Sequence, residues 1–310
     1  MPKLKRKIKK AVVPAGGYGT RFLPATKSIP KEMFPMGNKP IILHVVEELV
    51  ASGIEEIIFI VSHHKQSIES FFAANEILED FYLKNGKKDQ VKELQRIENL
   101  AEFSFVYTHP PYGNGGCLAA ARHLLQDEPF VLVWADELIV TRGEPRVRQC
   151  LDVYEKYHKP VISAVRIPNP EERKKYGMAE LKPWKGESKV KKIIRIAEKP
   201  ELGKEPSEWA THGAYVLTPD VFKAFDKTVP GKGGELWLAD ILNNFQDHTD
   251  ILACLIKDGD YYDCGNPLAY LKSQVDYATK YSPYAKEARD FICKRACDLD
   301  QKIKKSSRRS

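Results

Sequence analysis

Short apolar runs recur through the first half of the chain, each too brief for a helix of its own. Ala11-Val12-Val13, Ile57-Ile58-Phe59-Ile60-Val61, Phe103-Ser104-Phe105-Val106-Tyr107 and Phe130-Val131-Leu132-Val133-Trp134 read as buried strands. Between the first two, residues 40–50 repeat apolar side chains at helical spacing. Pro40 suits a first helical turn and Gly53 a C-terminal cap. Strand, helix and strand in that order predict a βαβ unit and a parallel sheet. Residues 65–102 are more polar and predict a helical insert broken near Asn85-Gly86, and Cys117 to Leu125 predicts an alanine-rich helix.

The second half is less regular. Strands are expected at Val161 to Val165, Gly213 to Leu217, Ile251 to Ile256 and Tyr261 to Asp263. A β-ribbon is expected from Met178 to Leu181 and Val190 to Ile196 around Lys185-Gly186-Glu187. Helices are expected at 219–226 and 235–246, and from Pro267 to near Leu299, with residues 302–310 frayed. No internal repeat or low-complexity linker breaks the pattern.

The first strand opens onto residues 14–35, PAGGYGTRFLPATKSIPKEMFP, where Gly16, Gly17 and Gly19 are joined by Arg21, Lys27 and Lys31. Glycines that let a ligand approach the backbone, followed by fixed cations, are what a polyphosphate site needs. The stretch is neither a Walker loop nor a complete dinucleotide fingerprint, since Phe22 stands where a third glycine is required. The glycine pattern alone is open between a phosphate turn and an ordinary tight turn. A second glycine turn lies at Tyr112-Gly113-Asn114-Gly115-Gly116. The fourth strand ends at Ala135-Asp136-Glu137. Ligands of open parallel sheets bind beyond the carboxyl ends of the strands, so Asp136 is either a helix N-cap or a metal ligand.

Composition narrows the class without deciding it. At 310 residues, 43% hydrophobic and 29% charged, the chain fits one large α/β domain or two modest ones. No apolar run approaches a membrane span, and the basic start runs into a glycine turn rather than an apolar h-region, so no signal peptide is expected. The net charge of +7 is uneven. Residues 1–10 carry six Lys/Arg and no acid, and residues 286–310 carry nine against four acids, which leaves the body between them net acidic. These ends read as solvated tails rather than as a nucleic-acid groove. The six cysteines, Cys117, Cys150, Cys254, Cys264, Cys293 and Cys297, make no CxxC and read as free thiols.

Taken in order, the motifs are more specific than any one of them. Gly17-Tyr18-Gly19-Thr20-Arg21, Pro24, Thr26-Lys27, Pro30-Lys31-Glu32-Met33 and Pro35 come first. They are followed by Ala135-Asp136-Glu137, Tyr176-Gly177, Glu198-Lys199-Pro200, Gly234-Glu235-Leu236-Trp237-Leu238-Ala239-Asp240 and Tyr262-Asp263-Cys264-Gly265. From Lys9 to about Lys280 the chain closely resembles the bacterial-type UTP–glucose-1-phosphate uridylyltransferases, or UDP-glucose pyrophosphorylases. Its insert at 65–102 is similar to theirs, and the related thymidylyltransferases are shorter there.

The resemblance implies an α/β fold of the Rossmann-like nucleotidyltransferase type. Its mixed, mostly parallel sheet would be flanked by helices, with a small β-ribbon and C-terminal helices. It implies a catalytic domain over 1–282 and a C-terminal helix with a basic tail over 283–310. It also implies a cytoplasmic homo-oligomer, dimer or tetramer, with no nucleic-acid or membrane partner. The reaction implied is UTP plus glucose 1-phosphate giving UDP-glucose and pyrophosphate, by in-line attack on the α-phosphate. Such chemistry needs positioning and charge neutralisation rather than a protein nucleophile. By the same resemblance Arg21, Lys31 and Asp136 are catalytic. Ala15, Gly16, Gly17, His109 and Gly115 hold the nucleotide, Gly177, Glu198 and Lys199 hold the sugar phosphate, and Asp136 and Asp263 bind Mg²⁺.

Departures from the family pattern cluster where the base and sugar are read. A Gln usual before the second glycine turn is replaced by Thr108-His109-Pro110-Pro111-Tyr112, so that His109 or Thr108 takes its place. The turn itself is Gly113-Asn114-Gly115-Gly116-Cys117 in place of Gly-Leu-Gly-His-Ala. Glu137 stands for the second Asp, and Trp237 and Ala239 replace smaller or polar residues. The rival readings are a sister enzyme using dTTP, another NTP or another hexose 1-phosphate, and an inactive binding or regulatory homologue.

Overall fold

The computed structural model describes residues 7–108, 113–231 and 234–307. The first apolar run is strand β1 (Lys10–Pro14). The chain leaves it through the glycine turn and three 3-10 turns at Thr20–Phe22, Ala25–Lys27 and Lys31–Met33. A short hairpin, β2 (Pro35–Met36) with β3 (Lys39–Pro40), delivers it to α1 (Ile41–Ala51) and then β4 (Glu56–Val61). β4 pairs parallel with β1, Val12 opposite Ile58, which is the expected βαβ unit. The insert is α2 (Gln66–Phe72), α3 (Glu76–Lys84) and α4 (Lys88–Glu98), broken at the expected Asn85-Gly86. β5 (Glu102–Tyr107), α5 (Cys117–Leu125) and β6 (Phe130–Val133) complete the first half.

The second half runs β7 (Glu137–Thr141), α6 (Arg146–Tyr157), β8 (Val161–Arg166), α7 (Pro170–Arg173), β9 (Gly177–Pro183), β10 (Val190–Glu198) and β11 (Trp209–Leu217). Then follow α8 (Val221–Phe225), α9 (Leu238–Phe245), β12 (Ile251–Leu255), β13 (Gly259–Asp263), α10 (Pro267–Lys280) and α11 (Ala285–Ser307). Nine strands form one mixed sheet in the order β5-β4-β1-β6-β11-β8-β12-β10-β9. The first four are parallel, β8 and β12 are parallel, and the remaining neighbours are antiparallel.

Alternation along the buried strands supplies both faces of the core. Ala11, Val13, Phe59 and Val133 pack with α1 and α6, while Val12, Ile58, Ile60 and Leu132 pack with α5 and α9. The expected β-ribbon forms, β9 antiparallel to β10, and β10 also pairs with β12 so that the ribbon extends the main sheet. Glu137 to Thr141 is a further strand, one that the sequence pattern did not predict. β7 turns off the main sheet at Asp136 and finds its partner only in β13, far along the chain, with Glu137 opposite Asp263. The C-terminal helical run is two helices divided at Ser282-Pro283, and the second continues to Ser307 instead of fraying from 302.

One buried ion pair ties the helices on one face together. Arg146, fully buried at the start of α6, makes a bidentate pair with Glu48 of α1, Nη2 to Oε2 at 2.7 Å and Nε to Oε1 at 3.1 Å. The same carboxylate accepts from Val147 N at 3.1 Å, so it also satisfies a free donor of the helix N-terminus. Removing one partner of such a pair leaves the other charged in an apolar site. Glu48→Ala is therefore expected to lower unfolding stability by about 3–5 kcal/mol in urea titrations. A loss under about 1 kcal/mol would contradict the clamp.

Candidate functional site

Two adjoining hollows open over the ends of β1, β6 and β11, one of about 390 Å³ and one of about 610 Å³. They share Asn114, Trp134 and Asp136 as a common wall. Asp136 stands just beyond the carboxyl end of β6, where the sheet rule places a ligand.

The smaller hollow holds the glycine turn. Ala15, Gly16 and Gly17 line it. The turn is set by Ala15 N donating to Ile60 O at 2.8 Å and Ser62 Oγ donating to Gly16 O at 2.9 Å. Gly17 meets nothing within 4 Å of a would-be Cβ, so the space beside it is open. Gly19 is the position that needs glycine, with φ at 62° and Thr26 3.0 Å from a Cβ. From the second turn Gly113, Asn114 and Gly116 line the hollow. Gly115 does not. Its N–H donates to Leu236 O at 2.9 Å, and a Cβ there would meet Ile241 at 2.6 Å. Its glycine is required by packing against the start of α9. His109 lies outside the described residues.

At the joint, Lys31 Nζ donates to Asp136 Oδ2 in a short ion pair. Below it Lys65 Nζ donates to both oxygens of Glu32 at 2.8 Å, with both side chains almost completely buried. Burial opposes ionisation of Asp136, but the Lys31 ammonium outweighs it, with Lys65 adding to the effect. The carboxyl is held below its usual range. Burial also opposes the Lys31 charge, and Asp136 with Glu32 outweighs it, so the ammonium is held more firmly than usual. At Lys65 burial wins and the pKa is lowered despite Glu32.

The larger hollow holds the other expected residues. Arg21 reaches across to Gly265 O at 3.4 Å, beside Asp263. Asp263 accepts from Gly265 N at 2.7 Å and Asn266 Nδ2 at 3.0 Å, which fixes its rotamer. A Cβ built on Gly265 would lie 3.1 Å from Asp263 Oδ1 and 3.4 Å from Asp136 Oδ2, so the two carboxylates converge on one glycine. Across the hollow, a Cβ on Gly177 would meet Glu198 Oε2 at 3.1 Å and Thr211 Oγ1 at 3.0 Å. Burial raises the Glu198 carboxyl above its usual range, and the nearby Lys199 only partly offsets this. Lys199 adopts φ 45° and sets its ammonium 3.6 Å from Glu198 and 4.6 Å over the Trp237 ring. Trp237, a departure in the sequence, thus serves as a rest for this lysine.

Two converging carboxylates suit a hard cation that completes its shell with phosphate oxygens and water, as Mg²⁺ does. Among the described residues no group of three or more His, Cys, Asp or Glu could hold a metal by itself. The structure thus brings together Ala15, Gly16, Gly17, Arg21, Lys31, Asp136, Gly177, Glu198, Lys199 and Asp263 around one double cleft.

Sequence reasoning did not single out three further features. Lys65 looked like the polar start of the insert, yet it is the buried partner of Glu32. Asn114 accepts from Leu238 N at 2.7 Å and so anchors α9 to the cleft wall. His212, on β11, reaches Glu137. The residue after Lys31 being an acid was the one available signal for the first, and nothing local signalled the other two.

The Lys31–Asp136 pair makes a pH prediction. A carboxyl held below its unfolded value of 3.8 contributes stability that is present above that value and is lost as pH falls through the folded value. In the substrate-free protein, the stability gap between wild type and Asp136→Asn is expected to be constant near neutrality and to close as pH drops below 3.8. A gap unchanged down to about pH 2 would contradict the pairing.

A family model described as nucleotidyl transferase matches residues 10–280. A UTP–glucose-1-phosphate uridylyltransferase of Staphylococcus saprophyticus is 36% identical over 286 residues, covering 92% of this chain and 98% of its own. A Staphylococcus epidermidis protein of the same name is 35% identical, covering 93% and 98%. Among solved structures, a UTP-bound UGPase from Acinetobacter baumannii aligns with TM-score 0.83 at 30% identity, over 92% of this chain and 99% of that one. A UDP-glucose pyrophosphorylase complexed with UDP-glucose aligns with TM-score 0.79 at 34% identity, over 88% and 99%. With the motifs in order, the carboxylates converging and relatives matched over nearly their whole length, the chain belongs to the nucleotidyl transferase family and, within it, to the group of the UTP–glucose-1-phosphate uridylyltransferases.

Proposed function

We propose that this chain transfers a uridylyl group from UTP to glucose 1-phosphate, forming UDP-glucose and releasing pyrophosphate. The observation that carries the reading is the double cleft joined at Lys31 and Asp136, with a glycine-lined half on one side and the Glu198–Lys199 pair on the other. Solved relatives with UTP and with UDP-glucose bound support the substrates.

The nucleotide takes the glycine-lined half. Its phosphates meet the backbone of Ala15, Gly16 and Gly17, a neutral cradle that accepts anions without a desolvated cation. The sugar phosphate takes the larger half, with Lys199 toward its phosphate and Glu198 and Gly177 toward its hydroxyls. A phosphate oxygen of glucose 1-phosphate then attacks the α-phosphorus. The new P–O bond forms as the bond to the β-phosphate oxygen breaks, and pyrophosphate carries the charge away. Lys31 neutralises charge at the reacting phosphate and Arg21 steadies the leaving group. Asp136 and Asp263 would hold Mg²⁺, which supplies further charge neutralisation at the phosphates when bound. On this reading residues 1–282 are the catalytic domain, and the last helix with its basic end lies beyond it. No helix among the described residues is long and apolar enough to cross a membrane.

The test is pyrophosphate release with glucose 1-phosphate across UTP, dTTP, CTP, ATP and GTP. UTP is expected to lead in kcat/KM by at least about tenfold, worth about 1.4 kcal/mol. A leading dTTP would make this a thymidylyltransferase, and no release with any nucleotide would make it a binding homologue. Asp136→Ala is expected to lose about 10³-fold or more of Mg²⁺-dependent turnover while keeping its circular dichroism spectrum. Full activity would sink the metal assignment. Lys199→Ala should raise KM for glucose 1-phosphate about tenfold with KM for UTP little changed. An equal rise in both would mean that Lys199 does not hold the sugar phosphate.

A further inference from the structure

The larger hollow contains a built arrangement that none of the roles above uses. His212 is 1% exposed, and its Nδ1 lies 2.6 Å from Glu137 Oε2. The carboxylate only accepts, so this ring nitrogen carries the hydrogen. The ring is held between Tyr261, centroid 4.0 Å away, and Tyr176, at 4.9 Å. Its other nitrogen, Nε2, is buried with no hydrogen-bond partner. Both His212 and Glu137 line the hollow.

The backbone is bent to put the ring there. β11 breaks register with β8 between Thr211 and Tyr215. Ser163 Oγ pins the irregular stretch by donating to His212 O and accepting from Ala214 N at 3.1 Å. Gly213 sits at φ 78°, where a Cβ would fall 1.9 Å from Arg146 Nη1 and 3.1 Å from Glu137 Oε2. Bulges of this kind re-aim a side chain beside a site. A positive-φ glycine and a buried serine thus hold the bulge that brings a histidine to one carboxylate oxygen. A buried ring nitrogen without a hydrogen-bond partner costs stability, a cost the fold carries to keep this ring beside the cleft.

We propose that His212 is a positioning residue for the sugar-phosphate half. By binding Oε2 it fixes the Glu137 carboxylate so that Oε1 is presented to a hydroxyl of the bound hexose, with the Arg146 guanidinium behind Gly213 holding the same carboxylate by charge. This rests on the reading under Proposed function. It adds that hexose selection depends on a residue that never touches the phosphates.

Steady-state kinetics on the whole chain with Mg²⁺ separate the possibilities. His212→Leu is expected to raise KM for glucose 1-phosphate about tenfold, the cost of about one hydrogen bond to a charged group, with KM for UTP within about twofold. His212→Asn, whose amide N–H can reach the place of Nδ1–H, is expected to recover most of that loss. Glu137→Gln, close to isosteric, is expected to show the same selective rise, and should His212→Leu fail to fold, His212→Gln, whose amide does not reach the place of Nδ1–H, stands in for it beside His212→Asn. Equal changes in both KM values, a fall in kcat alone, or no effect of Glu137→Gln overturns the proposal. A wild type that makes no UDP-glucose would strike the underlying reading instead. A wild type that makes it while the variants show no selective change strikes only this inference.

Discussion

Everything at the cleft depends on two neighbouring residues of opposite charge facing opposite ways. Glu32 points into the core, where Lys65 grips both its oxygens, and Lys31 points into the cleft, where Asp136 receives it. The result is a row of alternating charges, Lys65, Glu32, Lys31 and Asp136, running from the interior to the cleft. A buried ion pair such as Glu32–Lys65 is a weak stabiliser, since desolvation offsets most of its attraction. Its use here is geometric. It fixes the 3-10 turn at Lys31–Met33 and thereby fixes where an ammonium stands.

The two halves of the cleft rest on different parts of the sheet. The glycine-lined half, proposed for the nucleotide, is built on the parallel strands, whose glycine turn lies at the carboxyl edge. The larger half, proposed for the sugar phosphate, is built on the antiparallel part, where β9, β10 and β11 supply Gly177, Glu198 and His212. Asp136 and Glu137 stand where the chain passes from β6 to β7, that is, from one half to the other. That one turn delivers one carboxylate to the joint of the two hollows and a second to the larger hollow. The pairing of β7 with β13 then brings Asp263 opposite Glu137.

Much of this was legible in the sequence because it is local. Strands such as Ile57 to Val61, the insert helices and the glycine turn at Gly16 and Gly17 announce themselves by period and residue type within a few positions. The resemblance then joined distant motifs, Asp136 with Asp263 and the first glycine turn with Glu198-Lys199, that spacing alone would have left apart. What remained hidden depends on long-range pairing. β7 is short and is defined by a partner far along the chain. Lys65 and His212 are polar residues whose burial only the folded chain reveals. Gly115 looked like a ligand glycine, whereas its lack of a side chain serves the contact with Leu236 and Ile241. The residue expected to read the base, His109, lies outside the described residues, and Thr108 marks the near edge of that side of the cleft.

The central claim is that Lys31 acts on the transfer itself and not merely on holding substrate. The most direct measurement is the steady-state kinetics of Lys31→Met with UTP and glucose 1-phosphate. A loss of about 10²–10³ in kcat, with both KM values changed less than about threefold, is the predicted result, since a charge needed at the transition state is removed. An unchanged kcat with a raised KM would contradict it and would make Lys31 a ground-state binding residue.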